Sequence, residues 1–256
     1  MKVLNIEERK KIMMEIMSDI DDFCRKNHIK YSLYCGTLLG AVRHGGFIPW
    51  DDDLDICMLR EDFEKFIDSY KDRKYYVCYQ PGSGNGHKFT YFGFAKVCDP
   101  DTLVDNGWSD SNHGIYVDIF PIDDVPKEKK PREKYMKKLM RYNNRMYHRG
   151  KNDLLSIIKA HRYTIQEWWD KYESTIAQNP HKESGIVAHI MGCHNFYEIF
   201  DKKRFQNLSE IEFEGKKFLC MDDPHGSLKI MFGEDYMTPP PPEKRINHNE
   251  TVYKLR

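Results

Sequence analysis

The chain has 256 residues, 40% of them hydrophobic, and its 40 basic residues balance its 40 acidic ones. This suits one sizeable core with an appended region, and zero net charge excludes a global field that draws the protein to nucleic acid or anionic lipid. No apolar run approaches the roughly 20 residues of a transmembrane helix. An odd number of cysteines without a C-x-x-C pair, together with a polar N-terminus, predicts a cytoplasmic protein.

The first 70 residues alternate between helical and strand patterns. Apolar residues recur every three or four positions from Ile6 to Asn27, which predicts an amphipathic helix. The pattern then predicts a strand over Tyr31 to Cys35, a helix over Leu38 to His44, a strand over Asp53 to Met58 and a helix over Arg60 to Tyr70.

Gly36 and Thr37 lie between the first predicted strand and its helix, where we expect a glycine turn. Glycine allows the backbone to approach a ligand, and the N-terminus of a helix offers free N–H groups and a positive dipole end. We therefore predict a phosphate cradle at Gly36-Thr37, with Arg43 as a candidate cation.

The next strand carries two acids. In a strand, Asp53 and Asp55 would share one face and Leu54 and Ile56 the other. Two adjacent carboxylates suit a hard divalent ion such as Mg²⁺ or Mn²⁺, and a solvated aspartate turn is the alternative. A calcium loop is excluded because its sixth position requires glycine and the chain has Ile56.

The middle of the chain predicts further strands. Two β-rich runs, Tyr75 to Tyr79 and Phe89 to Val97, flank a glycine-rich loop over residues 81–87. The loop lacks the closing glycine of a dinucleotide fingerprint and opens no helix, so we expect a mobile turn or lid. Lys96, near the end of its strand, is a candidate phosphate contact, with a solvated edge charge as the alternative.

A third acid, Asp118, lies in an otherwise apolar strand predicted over Ile115 to Asp123, after a short strand over Asp101 to Asp105. An unpaired carboxylate between Val117 and Ile119 would be unfavourable. Either an arginine or lysine neutralises Asp118, or a metal ion does, and we favour the metal.

Residues 127–180 change character and predict a helical insertion. Its first helix, Lys127 to Lys151, is strongly basic, so it could face an anionic acceptor or carrier, although a solvated face explains it as well. The chain thus divides into a catalytic core over residues 1–126, the insertion over 127–180, and a C-terminal part over 181–256 that completes the active site.

The C-terminal part predicts short strands within Gly185 to Phe200 and within Phe205 to Leu219, with a hairpin turn at Glu214-Gly215. A final helix over Pro224 to Phe232 precedes the prolines at 239–242. Proline stretches are extended, so this segment fixes the position of Arg245, the third candidate cation.

The residues favour metal-assisted transfer at phosphorus. The sequence has no Walker A motif, no G-x-S-x-G, no H-E-x-x-H and no zinc-ligand spacing, which excludes P-loop kinases, serine hydrolases and zinc enzymes. Asp53 and Asp55 are predicted metal ligands, and Asp118 a ligand or base.

Three segments resemble the LicD family, which belongs to the nucleotidyltransferase-fold superfamily and is related to the fukutin-related sugar-phosphate transferases. They are GTLLGAVRHGG and IPWDDDLD over residues 36–55, VDIFPID over 117–123, and FGEDYMTPP over 232–240. The resemblance implies an α/β (α+β) fold with a nucleotidyltransferase-like mixed β-sheet flanked by helices, to which the insertion and the proline-rich segment are added.

The resemblance also implies a function. It implies transfer of phosphocholine, or a similar phospho-alcohol, from CDP-choline or another CDP-alcohol to a sugar hydroxyl of a cell-surface glycan or teichoic acid, releasing CMP. A lipid-linked saccharide acceptor would place the enzyme at the inner face of the membrane. The alternatives are transfer of ribitol, glycerol or ethanolamine phosphate, and a catalytically silent nucleotide-binding module.

A choline group would require an aromatic cage, because quaternary ammonium ions bind the faces of aromatic rings. Trp50, Tyr91, Trp108 and Tyr116 lie in or beside the motifs and are weak candidates for such a cage.

Overall fold

A computed structural model describes residues 1–79, 93–105, 113–150, 163–190, 198–245, 247 and 250–255. The predicted lid over residues 81–87 lies outside these ranges. The described helices are α1 (Ile6–Lys26), α2 (Cys35–His44), α3 (Arg60–Ser69), α4 (Lys129–Gly150), α5 (Ile165–Ala177) and α6 (Pro224–Phe232). None of them is both long and apolar enough to cross a lipid bilayer.

Of the twelve described strands, the longest has nine residues and the others have two to five. In chain order they are β1 (Lys2–Val3), β2 (Ser32–Leu33), β3 (Asp55–Leu59), β4 (Tyr76–Cys78), β5 (Ala95–Cys98), β6 (Thr102–Asp105), β7 (Tyr116–Asp124), β8 (Ile186–Ala188), β9 (Ile199–Asp201), β10 (Ser209–Phe213), β11 (Lys216–Cys220) and β12 (Thr251–Lys254).

A mixed sheet forms the centre of the molecule, with the order β2-β3-β7-β5-β4. β7 pairs in parallel with β3 and antiparallel with β5, and its far end pairs with β8. The sheet is flanked by helices, which confirms the predicted α+β class. Because β7 lies between β3 and β5, side chains from three strands meet at one place.

The predicted alternation explains how the sheet buries its core. Leu54, Ile56, Val117 and Ile119 are fully buried. The apolar side of α1, which includes Ile16 and Ile20, is also buried in the core. The asparagine before α1 and the glutamate at its third position form a capping box, which satisfies the free N–H groups that start the helix.

The structure corrects the boundaries around the motif. The strand β2 ends at Leu33, and α2 begins at Cys35, so Gly36 and Thr37 form the first helical turn and not a glycine turn before it. β3 begins at Asp55, so Asp53 precedes the strand that was predicted to contain it. The pairing explains the late start of β3: Leu33 and Ser32 of β2 pair with Ile56 and Cys57, so this ladder begins three residues after Asp53.

The hairpin of β10 and β11 confirms the turn predicted at Glu214-Gly215. Glu214 and Gly215 both have positive φ, 51° and 72°. Two consecutive residues in the left-handed region are typical of a two-residue hairpin loop, where glycine adopts this conformation without steric cost.

A second, smaller sheet joins the two ends of the chain and was not predicted. Its order is β1-β12-β6, and both pairings are antiparallel. A two-residue strand such as β1 carries no recognisable alternation, which is why the pattern missed it. By holding β12 against β6, this sheet brings the residue before β12, Glu250, toward the centre of the molecule.

The helical insertion consists, in the described residues, of α4 and α5, which pack on each other. Met136, Leu139 and Met146 of α4 and Tyr172 of α5 are buried in their interface with the core. Trp169 is buried as well, and Trp168 packs partly against the core. The division into segments 1–126, 127–180 and 181–256 stays a prediction.

Candidate active site

The acids of the two motifs meet because β3 and β7 are parallel and in register. Asp55 lies directly opposite Asp118, and Ile56 opposite Ile119. The N–H of Asp118 donates to the carbonyl of Leu54 at 2.9 Å, which extends the pairing beyond the start of β3. Two carboxylates more than 60 residues apart in sequence are therefore neighbours in space.

Asp55 is held by its backbone on both sides. Its N–H donates to the Thr37 hydroxyl at 2.8 Å, and its carbonyl accepts from the N–H of Tyr34 at 3.0 Å. Both contacts come from the start of α2, so this helix fixes the position of Asp55. Thr37, predicted as a phosphate contact, positions the acid strand.

Repulsion among the acids is strong. Burial raises the pKa of Asp55 well above its usual range, and the charges of Asp53, Asp118 and Asp51 raise it further, in that order. Burial also raises the pKa of Asp118, to about 6, although Lys96 acts in the opposite direction. Two buried acids, Asp55 and Asp118, whose pKa values are raised by burial and by neighbouring carboxylates are typical of a site that binds a cation.

Lys96 lies opposite Asp118 in the pairing of β5 with β7. Its ammonium group donates to Asp118 Oδ1 at 2.6 Å and lies 3.4 Å from the centre of the Tyr116 ring. Lys96 is buried, so the alternative of a solvated edge charge is wrong. The sequence offered either a basic side chain or a metal ion as the group that neutralises Asp118. The structure provides the basic side chain, Lys96.

The predicted phosphate cradle is covered by a side chain of the motif itself. A Cβ added to Gly36 would lie 2.6 Å from Asp51 Oδ2, so the Asp51 carboxylate rests on the first turn of α2. A carboxylate is favourable there, because the N-terminus of a helix attracts anions. A side chain at position 36 would therefore displace the Asp51 carboxylate.

The two candidate arginines lie beside this turn. The side chain of Arg43 donates to the carbonyl of Tyr236 at 2.9 Å. Burial and the nearby charge of Arg245 lower the pKa of Arg43, and Asp51 opposes this effect. Arg245 stacks on Trp50 at 4.4 Å, and its Nε donates to the carbonyl of Pro240. The structure thus brings Arg43 and Arg245 together at the edge of the acid group.

Comparison with known protein families shows to which family the chain belongs. A model of the nucleotidyltransferase domain of LicD, FKTN and FKRP matches residues 28–156, which include Asp53, Asp55, Lys96 and Asp118. The chain belongs to the LicD family.

Individual relatives agree with this. The chain is 28% identical over its full length, and over the full length of the relative, to the lipopolysaccharide cholinephosphotransferase LicD of Haemophilus influenzae. It is 34% identical over 96 residues to the human ribitol 5-phosphate transferase FKRP, which covers 36% of this chain and 17% of FKRP. The mouse FKRP is 53% identical over 34 residues, 13% of this chain and 7% of that protein.

Two acids near the LicD motif take roles that the sequence did not show. Asp52 pairs with Arg9 of α1 at 3.2 Å, and both side chains are largely buried, so Asp52 holds the loop to the helix. Glu250, just before β12, lies close enough for its charge to raise the pKa of Asp118, and Tyr116 donates to it at 3.5 Å. No sequence signal marked Glu250, because only the second sheet brings it to the site.

The chemistry of these side chains fits a divalent cation. In the described ranges no three histidine, cysteine, aspartate or glutamate side chains are arranged to hold an ion. Mg²⁺, however, commonly uses one or two protein carboxylates and completes its coordination with water and substrate phosphate. Asp53 and Asp55 are candidates for such a pair, with Asp118 next to them. Lys96 forms its ion pair with Asp118, and its charge also acts to lower the pKa of Asp55.

Two of the four aromatic rings proposed for a choline cage already contact a cationic side chain of the protein. Trp50 carries Arg245 on one face, and Tyr116 carries Lys96. Tyr91 and Trp108 lie outside the described residues.

Gly40 of the LicD motif offers a test of this loop. A Cβ at Gly40 would lie 2.4 Å from the carbonyl oxygen of Gly46, a backbone atom that cannot rotate away. We expect Gly40→Ala to destabilise the protein by about 2–3 kcal/mol, as overpacking does, and to lower turnover by displacing the loop that carries Asp51. Urea unfolding and an activity assay measure both effects.

Gly45→Ala is the matched control. Gly45 has φ of 71° but nothing within 4 Å of an added Cβ. This variant should lose only about 1 kcal/mol, from backbone strain. Equal losses in the two variants would contradict the steric role of Gly40.

Proposed function

We propose that this protein is a metal-dependent transferase that moves a phospho-alcohol from a CDP-linked donor to a sugar hydroxyl and releases CMP. The observation that carries the proposal is the register of β3 and β7, which pairs Asp55 with Asp118 beside Asp53. The full-length similarity to a cholinephosphotransferase and the partial similarity to a ribitol 5-phosphate transferase support phospho-alcohol transfer.

In this proposal the acids bind the metal ion and the arginines bind the phosphates of the donor. Asp53 and Asp55 would hold a Mg²⁺ ion, and such an ion would supply positive charge against the diphosphate and help to orient it. Arg43 and Arg245 would bind the phosphate oxygens of the departing CMP. For the phosphate to reach the first turn of α2, the Asp51 carboxylate must move away from Gly36.

The proposed reaction is a substitution at phosphorus with CMP as the leaving group. The sugar oxygen forms a bond to the phosphorus that carries the alcohol, and the bond from that phosphorus to the bridging oxygen of CMP breaks. The proton of the sugar hydroxyl passes to a carboxylate. Asp118 suits this role because its pKa, about 6, lies close to neutral pH, where proton transfer is most effective.

Phosphocholine is our first choice of phospho-alcohol, because the relative that aligns over the whole chain is named for it. Ribitol phosphate is the second choice, supported by the partial match to FKRP, and glycerol and ethanolamine phosphate remain alternatives. The acceptor we propose is a cell-surface glycan or teichoic acid, met by a cytoplasmic enzyme at the inner face of the membrane while still on its lipid carrier.

The test is CMP release from CDP-choline, CDP-ribitol, CDP-glycerol and CDP-ethanolamine in parallel, with a glycolipid extract as acceptor and with Mg²⁺, Mn²⁺ or EDTA. We expect one donor to be turned over only with metal and acceptor. Turnover unaffected by EDTA would refute the metal. Binding of CDP-alcohols without release of CMP under any condition would indicate a silent nucleotide-binding module.

The pH dependence of this turnover tests the role of Asp118. A base must be ionised, and the pKa of Asp118 is raised to about 6, so kcat/KM should fall as pH drops below about 6. Lys96 lowers the pKa of Asp118. Lys96→Gln should therefore move this limb of the profile to higher pH.

Lys74→Gln is the control for that shift. Lys74 is an exposed lysine that pairs with Glu15 at 3.6 Å, so its removal should leave the acidic limb in place. A profile that is identical in wild type and Lys96→Gln would exclude Asp118 as the titrating base.

A further inference from the structure

Helix α4 has an unusual charge. The segment from Lys127 to Arg145 contains nine lysines and arginines and only two glutamates, a net charge of +7. Because the whole chain is neutral, the remainder carries −7. The basic charge is therefore concentrated on one element that lies outside the acid group.

The cations form a row along the solvent side of α4 and the two residues that precede it. Its exposed members, which we call the basic row, are Lys127, Lys129, Lys130, Lys134, Lys137, Lys138 and Arg141. The other side of the helix is apolar, with Met136, Leu139 and Met146 fully buried. The packing of these three residues fixes which side of α4 faces outward.

The spacing of the row is unfavourable for the helix by itself. Lys130 and Lys134, Lys134 and Lys138, and Lys137 and Arg141 are each four residues apart, a separation at which like charges repel. Solvated helix faces usually mix both signs. Within the described part of this row, the ion pair on the helix is Lys137 with Glu133, at a long 3.8 Å. An external anionic surface would relieve this repulsion.

We propose that the basic row docks the protein onto an anionic lipid bilayer. Cations that bind a small anion converge on it, whereas these lie along a helix, which rises about 1.5 Å per residue, so the part from Lys129 to Arg141 extends over roughly 18 Å. Such a row matches a flat, charged surface. No large apolar side chain of α4 is exposed among the described residues, so binding is electrostatic and involves no insertion.

This surface complements the proposed transfer to a lipid-linked acceptor but does not depend on it. Membrane binding is measured without donor, acceptor or metal. Failure of docking therefore leaves the transferase proposal intact, and failure of turnover leaves the docking intact.

The experiment is sedimentation of the full chain with lipid vesicles. One set is pure phosphatidylcholine, and the other contains about 30% phosphatidylglycerol, which provides the anionic surface. We expect binding to the anionic vesicles alone, at about 50 mM salt, and its loss at about 500 mM, where screening is strong.

Two variants with the same change of net charge separate the basic row from the total charge. The first replaces Lys130, Lys134, Lys137 and Arg141 by glutamine. The control replaces Lys11, Lys71, Lys182 and Lys217, four exposed lysines on other parts of the chain, by glutamine. Each cation near an anionic surface strengthens binding about fivefold, so removal of four should weaken binding by the first variant about 600-fold, and the control should bind within about threefold of wild type.

Three results would overturn the proposal. They are equal weakening in the two variants, equal binding of wild type to neutral and anionic vesicles, and no binding to either. Salt-sensitive self-association of the wild type, lost only in the first variant, would assign the row to a second copy of the chain instead. Circular dichroism verifies that both variants keep their helices, since glutamine is a good helix former.

Discussion

Asp55→Asn is expected to lower the rate of CMP release by at least about a thousandfold, the size of effect seen when a key electrostatic group of an active site is removed. It is also expected to leave the protein as stable as wild type or more stable. Burial and the charges of Asp53, Asp118 and Asp51 raise the pKa of Asp55 well above its usual range. The folded state therefore favours the protonated form, and ionised Asp55 destabilises the fold at neutral pH.

Asparagine keeps the shape of the side chain and removes the charge that the other acids oppose. The measurements, both at neutral pH, are CMP release from the best CDP-alcohol with Mg²⁺ and the thermal unfolding temperature in EDTA. A loss of activity together with a gain in stability is the signature of a functional acid held in an unfavourable environment.

Asp52→Asn should show the opposite pattern. Asp52 belongs to the same aspartate run, but its carboxylate pairs with Arg9, and the proposal gives it no part in the reaction. Removal of its charge should cost about 1–3 kcal/mol, as for a lost hydrogen bond to a charged group, while turnover stays within about tenfold of wild type. If Asp55→Asn retained turnover, Asp55 would have no role in the reaction.

Arg60→Met is expected to cost about 3–5 kcal/mol of stability, the usual loss when one partner of a buried ion pair is removed. Arg60 makes two hydrogen bonds to Asp123, of 2.7 and 3.0 Å, and both side chains are buried. Burial opposes the charge of Arg60, but attraction to Asp123 outweighs it and raises the pKa of Arg60. In the variant, Asp123 would remain buried without its ion-pair partner.

The double variant Arg60→Met with Asp123→Leu tests this reason. Removing both charges should recover most of the lost stability, because well-packed apolar residues can replace a buried ion pair with little loss. Urea unfolding of the two single variants and the double variant gives the coupling between the residues. If the double variant were as unstable as the sum of the two single variants, the pair would not act as a unit.

Asp123 illustrates that the sequence does not show which basic residue neutralises a buried acid. It stands five residues after Asp118 in the same strand and the same motif, and both are buried acids in apolar surroundings. Asp123 pairs with an arginine and Asp118 with a lysine beside further acids. The sequence raised the question of neutralisation for such an acid but could not assign the partner, because Arg60 and Lys96 come from other strands and helices.

Local sequence patterns predicted most of the helices, strands and turns, because the formation of these elements depends mainly on residues close together in the sequence. The period of α1, the helix Pro224–Phe232 and the turn at Glu214-Gly215 are confirmed at or near their predicted bounds. The boundaries around the motif were wrong at Gly36 and Asp53, because α2 begins early and β3 begins late. Both differences arise from pairing between segments, which a local pattern does not contain.

The sequence by itself determined the family, the set of acids and the alternation that buries one side of their strands. These properties follow from residue type and spacing within a few positions, and they survive any change in how distant segments pack. Only the tertiary structure decided which groups meet: Asp55 with Asp118 through parallel register, Lys96 through the next strand, Arg245 beside Arg43, and Glu250 through the sheet that joins the chain ends. The strength of a charge interaction depends on distance and burial, and both are set by contacts between residues far apart in the chain.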